Sequence, residues 1–238
     1  LIGTKNLVAV SALADDDRYS HISDKVKDLQ KVAFNAEMIY ALDPSLVLAS
    51  NFSSAKTKSA LEKLGVNVRL ISFARSVEDI EKNIFILGEL LNAESQAQEL
   101  TSLLKSPKVN AKHVKQVIAL QYSTNRFVHG HNSLISSIIR RSGFKSYSEF
   151  LGYNEGRYIS AEALVKSAPD VLILDGDKSF SNKSGSTLYH PALLKGKSKT
   201  KALFIETKHW SCGTPKVVDL ITRLSSEYIK LVGQNNAS

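Results

Sequence analysis

Two apolar periods alternate along this chain. Short, largely apolar runs at residues 46–49, 68–72, 117–120, 171–174 and 203–205 read as β-strands, buried on both faces where the run is continuous. A further run at 7–10 leads into the aspartate-rich loop 14–20 and reads as a strand end. Between these runs, apolar residues fall at steps of three and four. Ile80, Ile84, Leu87 and Leu91 mark an amphipathic helix over 77–91. Leu61 and Leu64 place one over 55–64, with Gly65 as its cap, and Ala97, Leu100 and Leu104 place another from 93 to about 105. Helices are also expected over 134–141, closed by Gly143, and over 214–232. Strands that alternate with helices of this length build parallel sheets from βαβ units, so the fold class is α/β.

One unit occurs twice. Ala36-Glu37-Met38-Ile39 followed by Pro44-Ser45-Leu46-Val47-Leu48 matches, without a gap, Ala161-Glu162-Ala163-Leu164 followed by Pro169-Asp170-Val171-Leu172-Ile173. Each copy is a helix, a proline break and an apolar run. Proline lacks a donor and restricts the residue before it, which stops the helix. A unit made once per half predicts two similar Rossmann-like lobes, residues 1–92 and 116–238. The helical pattern over 93–115 would join them stiffly, although Pro107 should kink or end it. Two lobes imply a cleft, a favoured place for a ligand.

Composition removes several function classes. No run of about 18 apolar residues occurs, so no membrane span is expected. The first residues show no charged stretch leading into an apolar one, so an export signal is expected to have been removed or never present. The net charge of +8 suits an anionic partner. Its densest run, Lys195, Lys197, Lys199 and Lys201, reads as solvated surface. No basic strand interleaved with aromatics accompanies it, so no nucleic acid is expected. The single cysteine, Cys212, excludes an internal disulfide and a cysteine-based zinc site. No nucleophile elbow, phosphate-binding loop or GxGxxG is present, so no enzyme chemistry and no cofactor are expected. Asp15-Asp16-Asp17 lacks the glycine and closing glutamate of a calcium loop.

Four segments spread along the chain carry a resemblance. Asn35-Ala36-Glu37 with Leu42-Asp43-Pro44-Ser45-Leu46-Val47-Leu48 is similar to the Glu-helix-Pro-Asp-Leu-Val segment of the cobalamin and ferric-siderophore class of periplasmic substrate-binding proteins, which serve bacterial ABC importers. Ile159-Ser160-Ala161-Glu162 with Ala168-Pro169-Asp170-Val171 resembles its counterpart in the second lobe. Phe127-Val128-His129-Gly130 with Ser133-Leu134 looks like the glycine loop before a helix ending in Gly143-Phe144. Trp210-Ser211-Cys212-Gly213-Thr214-Pro215 is similar to a Trp-Cys-Gly-Pro loop of a subgroup. The resemblance implies two lobes with parallel sheets joined by a long interlobe helix, and so stiff a bridge predicts little closure on binding. A strand and helix come before the segment resembling residues 3–11 in this family, so the first lobe is expected to lack its first strand and helix.

The resemblance also implies roles. Glu37 and Glu162 complement the dipoles of their helices, and in the family one such glutamate per lobe pairs with arginines of the membrane permease. Trp210 is either core filler or a cleft wall; the Ser/Gly/Pro-rich loop favours the wall, whose flat face suits a macrocycle or aromatic chelate. Cys212 is expected to be a small buried residue. His129 and His131 flank Gly130; two histidines do not close a metal site, so they read as polar residues near the ligand. Coordination of haem or ferric iron through one of them or a nearby tyrosine stays open. Phe127, Arg126, Arg157 and Tyr158 lie in loops expected to face the cleft, where arginine offers a planar donor fork. Tyr122 could stack on a ligand. Leu13, Phe34, Asn51 and Phe52 are the first-lobe candidates, and Arg140 and Arg141 read as surface.

The implied protein is a periplasmic or lipid-anchored monomer. It would capture a ferric-siderophore-like iron chelate and deliver it to the permease and ATPase of an ABC importer. Corrinoid (vitamin B12) or haem are the alternative ligands. A competing class is a tetrapyrrole metal chelatase in which His129 or His131 acts on the metal, and a third is a binder of bare transition metal.

Overall fold

The computed structural model describes residues 3–105, 116–123, 125–166, 169–176 and 200–235. The lysine run up to Lys199, and the part of the expected bridging helix from 106 to 115, lie outside these residues. The chain divides into two compact units, Leu1–Ala74 with Asp79–Ser102, and Arg75–Glu78 with Leu103–Ser238.

In the first unit the strands form two parallel pairs: Ala9–Val10 with Gln30–Lys31, and Val47–Ser50 with Val68–Ile71. Helices Ala36–Tyr40 and Ala55–Lys63 pack on the second pair through Ile39, Leu61 and Val68, with Phe34, Val47 and Ala49 around them. Asp43, with φ 48°, turns the chain ahead of Pro44; aspartate tolerates this left-handed conformation better than most residues. At Gly65, φ is 84°, and the Gly65 and Val66 amides donate to Glu62 and Leu61, which closes the preceding helix as a Schellman motif. Helix Val77–Leu90 is followed by Glu94–Ser102, with Asn92 at φ 49° between them. A side chain at Gly88 would collide with Ala97, so the missing Cβ lets the two helices meet.

The second unit holds a four-stranded parallel sheet in the order Lys201–Ile205, Val171–Asp175, Ile118–Tyr122, Lys145–Ser146. From Ile118–Tyr122 the chain goes to one neighbour, then crosses to the other side for the remaining strands. The order therefore reverses between Ile118–Tyr122 and Val171–Asp175, and in such sheets ligands gather outside the carboxyl ends at that point. Leu120, Tyr122, Leu172 and Leu174 face a core shared with Tyr147, Ile159 and Leu164. Helices Leu134–Arg141 and Val217–Asn235 contact each other, and Phe144, just past the end of the first, stands edge-to-face to Tyr228 of the second at 5.1 Å. Gly143, at φ 99°, closes the first of them.

The repeat survives as structure within each unit. Asn35 caps the first helix, its Oδ1 accepting from the Met38 amide at 3.0 Å; Ser160 caps Ala161–Lys166, its Oγ accepting from the Ala163 amide at 3.2 Å. Glu37 and Glu162 are the second residue of their helices, and both are exposed. Among the described residues, no helix is long and apolar enough to cross a membrane.

Candidate ligand-binding site

Beyond Tyr122 the chain reverses tightly. The Arg126 amide donates to the Ser123 carbonyl at 2.8 Å, the Phe127 amide to Asn125 Oδ1 at 3.1 Å, and Arg126 takes φ 66° with its side chain exposed. Phe127–Val128 then pairs antiparallel with Arg157–Tyr158. The sequence placed Arg157 and Tyr158 in a loop; the pairing makes them a short strand, which sets Tyr158 opposite Phe127 and Arg157 opposite Val128.

Gly130 follows. A Cβ there would lie 2.3 Å from the Asn154 carbonyl oxygen, so only glycine admits the loop 153–155. The His131 amide donates to the Tyr153 carbonyl at 2.8 Å, and the hydroxyls of Ser133 and Ser136 donate to the Gly130 carbonyl at 2.7 and 2.8 Å. Ser136 Oγ also meets Ser146 and Ser148, which bond each other at 2.7 Å. A serine cluster thus ties the glycine loop to the sheet.

These restraints assemble an aromatic ledge. The ring of Phe127 stands edge-to-face to His129 at 5.1 Å and to Tyr158 at 5.3 Å. Tyr158 is 71% exposed. The Arg157 guanidinium lies 3.5 Å from the centre of the Tyr153 ring, a cation–π contact that holds the fork while its edge stays exposed. His129 is half-buried, and burial lowers its pKa, favouring neutral imidazole. Among the described residues no hydrogen bond engages its ring.

Other expected site residues are placed elsewhere. Tyr122 is fully buried and its hydroxyl donates to the Ile159 carbonyl at 2.9 Å; it is a core residue and presents no face for stacking. Trp210 is 5% exposed, on the one-turn helix Lys208–Ser211 rather than on an open loop, so the core-filler alternative describes it. Cys212 beside it is exposed, not buried. Arg140 and Arg141 are not simple surface residues. Arg140 donates to the His131 carbonyl at 3.0 Å and to its Nδ1 at 3.1 Å; arginine has only donors, so that nitrogen accepts and the neutral ring carries its proton on Nε2. Arg141 pairs with Glu78 at 2.8 Å.

In the first unit Phe34 is half-buried against its core. Asn51 is exposed and its Oδ1 accepts from the Phe73 amide at 3.3 Å, linking two strand ends. Phe52, 73% exposed, stands edge-to-face to Phe73 at 5.8 Å, and Leu13 is exposed. The sequence reading missed Tyr153 and Phe73; the Arg157 guanidinium over the Tyr153 ring and the Asn51 bond reveal them. Among the described residues, no three His, Cys, Asp or Glu side chains come together as a metal site.

Residues 1–202 match the model of the periplasmic binding protein family. The chain belongs to that family. It is 24% identical over 184 residues to an uncharacterized ABC transporter substrate-binding lipoprotein, YvrC, of Bacillus subtilis (strain 168), a match covering 71% of this chain and 58% of that protein. It is 20% identical over 208 residues to a cobalamin-binding protein of Halobacterium salinarum (strain ATCC 29341 / DSM 671 / R1), covering 82% and 56%. The chain thus spans little more than half the length of the curated relatives it matches. Among solved structures it is similar to the periplasmic heme-binding protein HutB of Vibrio cholerae, with TM-score 0.72, 17% identity and coverage of 93% of this chain and 90% of that one. It is also similar to the periplasmic vitamin B12 binding protein BtuF of Vibrio cholerae, with TM-score 0.69, 16% identity and coverage of 95% and 89%. At these identities the likeness shows the fold, mixed α/β with parallel sheets.

Proposed function

We propose that this chain is the ligand-binding component of an ABC importer, and that the ledge of Phe127, Tyr158, Arg157 and His129 receives an anionic metal chelate. The observation that carries the reading is the ledge itself. Rings of Phe127, His129 and Tyr158, held edge-to-face by a strand pair and a required glycine, offer an aromatic surface, and the exposed Arg157 and Arg126, on and next to that strand pair, offer donor forks for carboxylate or catecholate oxygens. The first ligand class is a ferric chelate of the siderophore type, which the net charge of +8 also favours.

A second reading, haem or a corrinoid, is favoured by His129, a neutral imidazole whose ring makes no hydrogen bond among the described residues. Relatives described as cobalamin-binding and heme-binding support it. In either case the protein works outside the cytoplasmic membrane, as the family and the lipoprotein relative suggest. It hands its ligand to a permease driven by a partner ATPase, with Glu37 and Glu162 as the contacts to the permease.

The test is calorimetric titration with a ferric hydroxamate, a ferric catecholate, haem and cobalamin. One of them should bind at one per chain with sub-micromolar affinity. Arg157→Ala should then weaken binding by roughly tenfold or more, the size of a lost charge-assisted hydrogen bond. A folded chain that binds none of the four overturns the proposal.

A further inference from the structure

Gln121 and Asp175 stand side by side where the strand order of the second sheet reverses. Gln121 Nε2 donates to Asp175 Oδ1 at 2.8 Å and to Ser123 Oγ at 3.0 Å. A carboxylate only accepts, so the end of the amide facing it is the NH2. The other end, Oε1, is buried and has no partner among the described residues, in a side chain only 3% exposed. Buried acceptors are almost always paired, so an orphan at this depth asks for a donor.

The space beside it supplies room for one. Gln121, His129, Ser136, Ser146 and Ser148 are the polar side of a cavity of about 10 Å³ whose other wall is largely apolar, Ile135 and Ile139 among it; the volume is close to the least that holds one water. The serines cannot satisfy Gln121, because their hydroxyls are bound to one another and to the Gly130 carbonyl. A water there would have Gln121 Oε1 and the serine oxygens as acceptors and the imidazole of His129 as donor.

We infer that one ordered water in this cavity joins His129 to Gln121, so that Gln121, with Asp175 behind it, is the positioning residue for the histidine of the ledge. This rests on the reading that His129 meets a metal chelate. The donors run one way throughout: the ring N–H donates to the water, the water to Gln121 Oε1, and Gln121 Nε2 to Asp175. The arrangement selects one tautomer and leaves the other ring nitrogen with its lone pair for the metal. Histidines that bind metal generally pass their second N–H to such an acceptor, and loss of that partner costs about 10–100-fold in affinity.

Two measurements on the ligand-free protein test the relay. Nitrogen-edited NMR should show a single tautomer for His129 in the wild type and a mixture in Gln121→Leu. A high-resolution crystal structure of the wild type, which needs no variant to fold, should show a water within hydrogen-bond distance of Gln121 Oε1 and a ring nitrogen of His129. An empty cavity, a water that leaves His129 untouched, or mixed tautomers in the wild type would overturn it. Titration with ferric protoporphyrin IX separates the relay from the functional reading. A loss of about 10–100-fold in folded Gln121→Leu supports the positioning role, and an unchanged affinity overturns it. If the wild type binds no chelate, the functional reading fails while the tautomer and the water still decide the relay.

Discussion

A methyl group at Gly156 would stand 2.3 Å from Cζ of Phe127 and 2.9 Å from Cε1. The glycine is therefore the floor under the ring, required by close approach. Gly156→Ala forces the ring outward and breaks its edge contacts with His129 and Tyr158. The ring is half-buried and can swing, so the stability cost should fall at the low end of overpacking, about 1 kcal/mol, while ligand affinity drops more sharply. A double-mutant cycle with Phe127→Leu, read by urea unfolding, should be strongly non-additive because the shorter side chain relieves the clash. Additive costs would show that the ring does not rest on this glycine.

Helix Val217–Asn235 gives a pH dependence. Glu227 on that helix accepts from Lys201 of the edge strand at 2.5 Å and from Lys230 at 2.9 Å. The hydrogen bond from Lys201, followed by that from Lys230, holds the Glu227 carboxyl below its ordinary value. The folded state thus ionises more readily than the unfolded chain. Its contribution is complete above the ordinary glutamate value, about 4.3, and is lost as pH falls through the lowered folded value. The groups are partly exposed, so solvent screening keeps the contribution within about 1 kcal/mol. Glu227→Gln should melt earlier than wild type at neutral pH, and the gap should close in acid. A gap that does not change with pH would assign the loss to packing instead.

The buried strands were the most legible part of the chain. Val171, Leu172, Ile173 and Leu174 form a continuous apolar run because both faces of that strand are covered, and Gly65 and Gly143 mark helix ends because their backbone takes positive φ. The ledge was half legible. Phe127, His129, Arg157 and Tyr158 were singled out, but Tyr153 was not, because its partnership with Arg157 depends on how the loop 153–156 folds beneath the glycine at 130. Tyr122 and Trp210, both buried, are hard to read for a common reason. A large aromatic near a strand end looks the same in sequence whether it faces ligand or core, and only the Ile159 carbonyl bonded to Tyr122 and the helical turn carrying Trp210 distinguish the cases. Gln121 left no sequence signal: a polar residue in an apolar strand acquires meaning only beside Asp175.

Glu37 and Glu162 share one local geometry. Each is the second residue of a short helix whose preceding Asn35 or Ser160 accepts a backbone amide, and each is exposed. As dipole partners alone, each contributes about 0.3–1 kcal/mol of stability, so Ala at both positions should leave a folded chain. Docking to a permease sets a different pattern of loss. Glu37→Ala combined with Glu162→Ala should abolish ligand uptake by cells carrying the importer, while calorimetric affinity for the ligand stays at the wild-type value. Glu→Gln at both positions separates charge from shape: it keeps the size of the side chain and should fail in transport as fully as alanine if arginines of the permease are the partners. Loss of ligand affinity in either double variant would place these carboxylates in the binding site. Normal uptake by both would reduce them to helix-start residues.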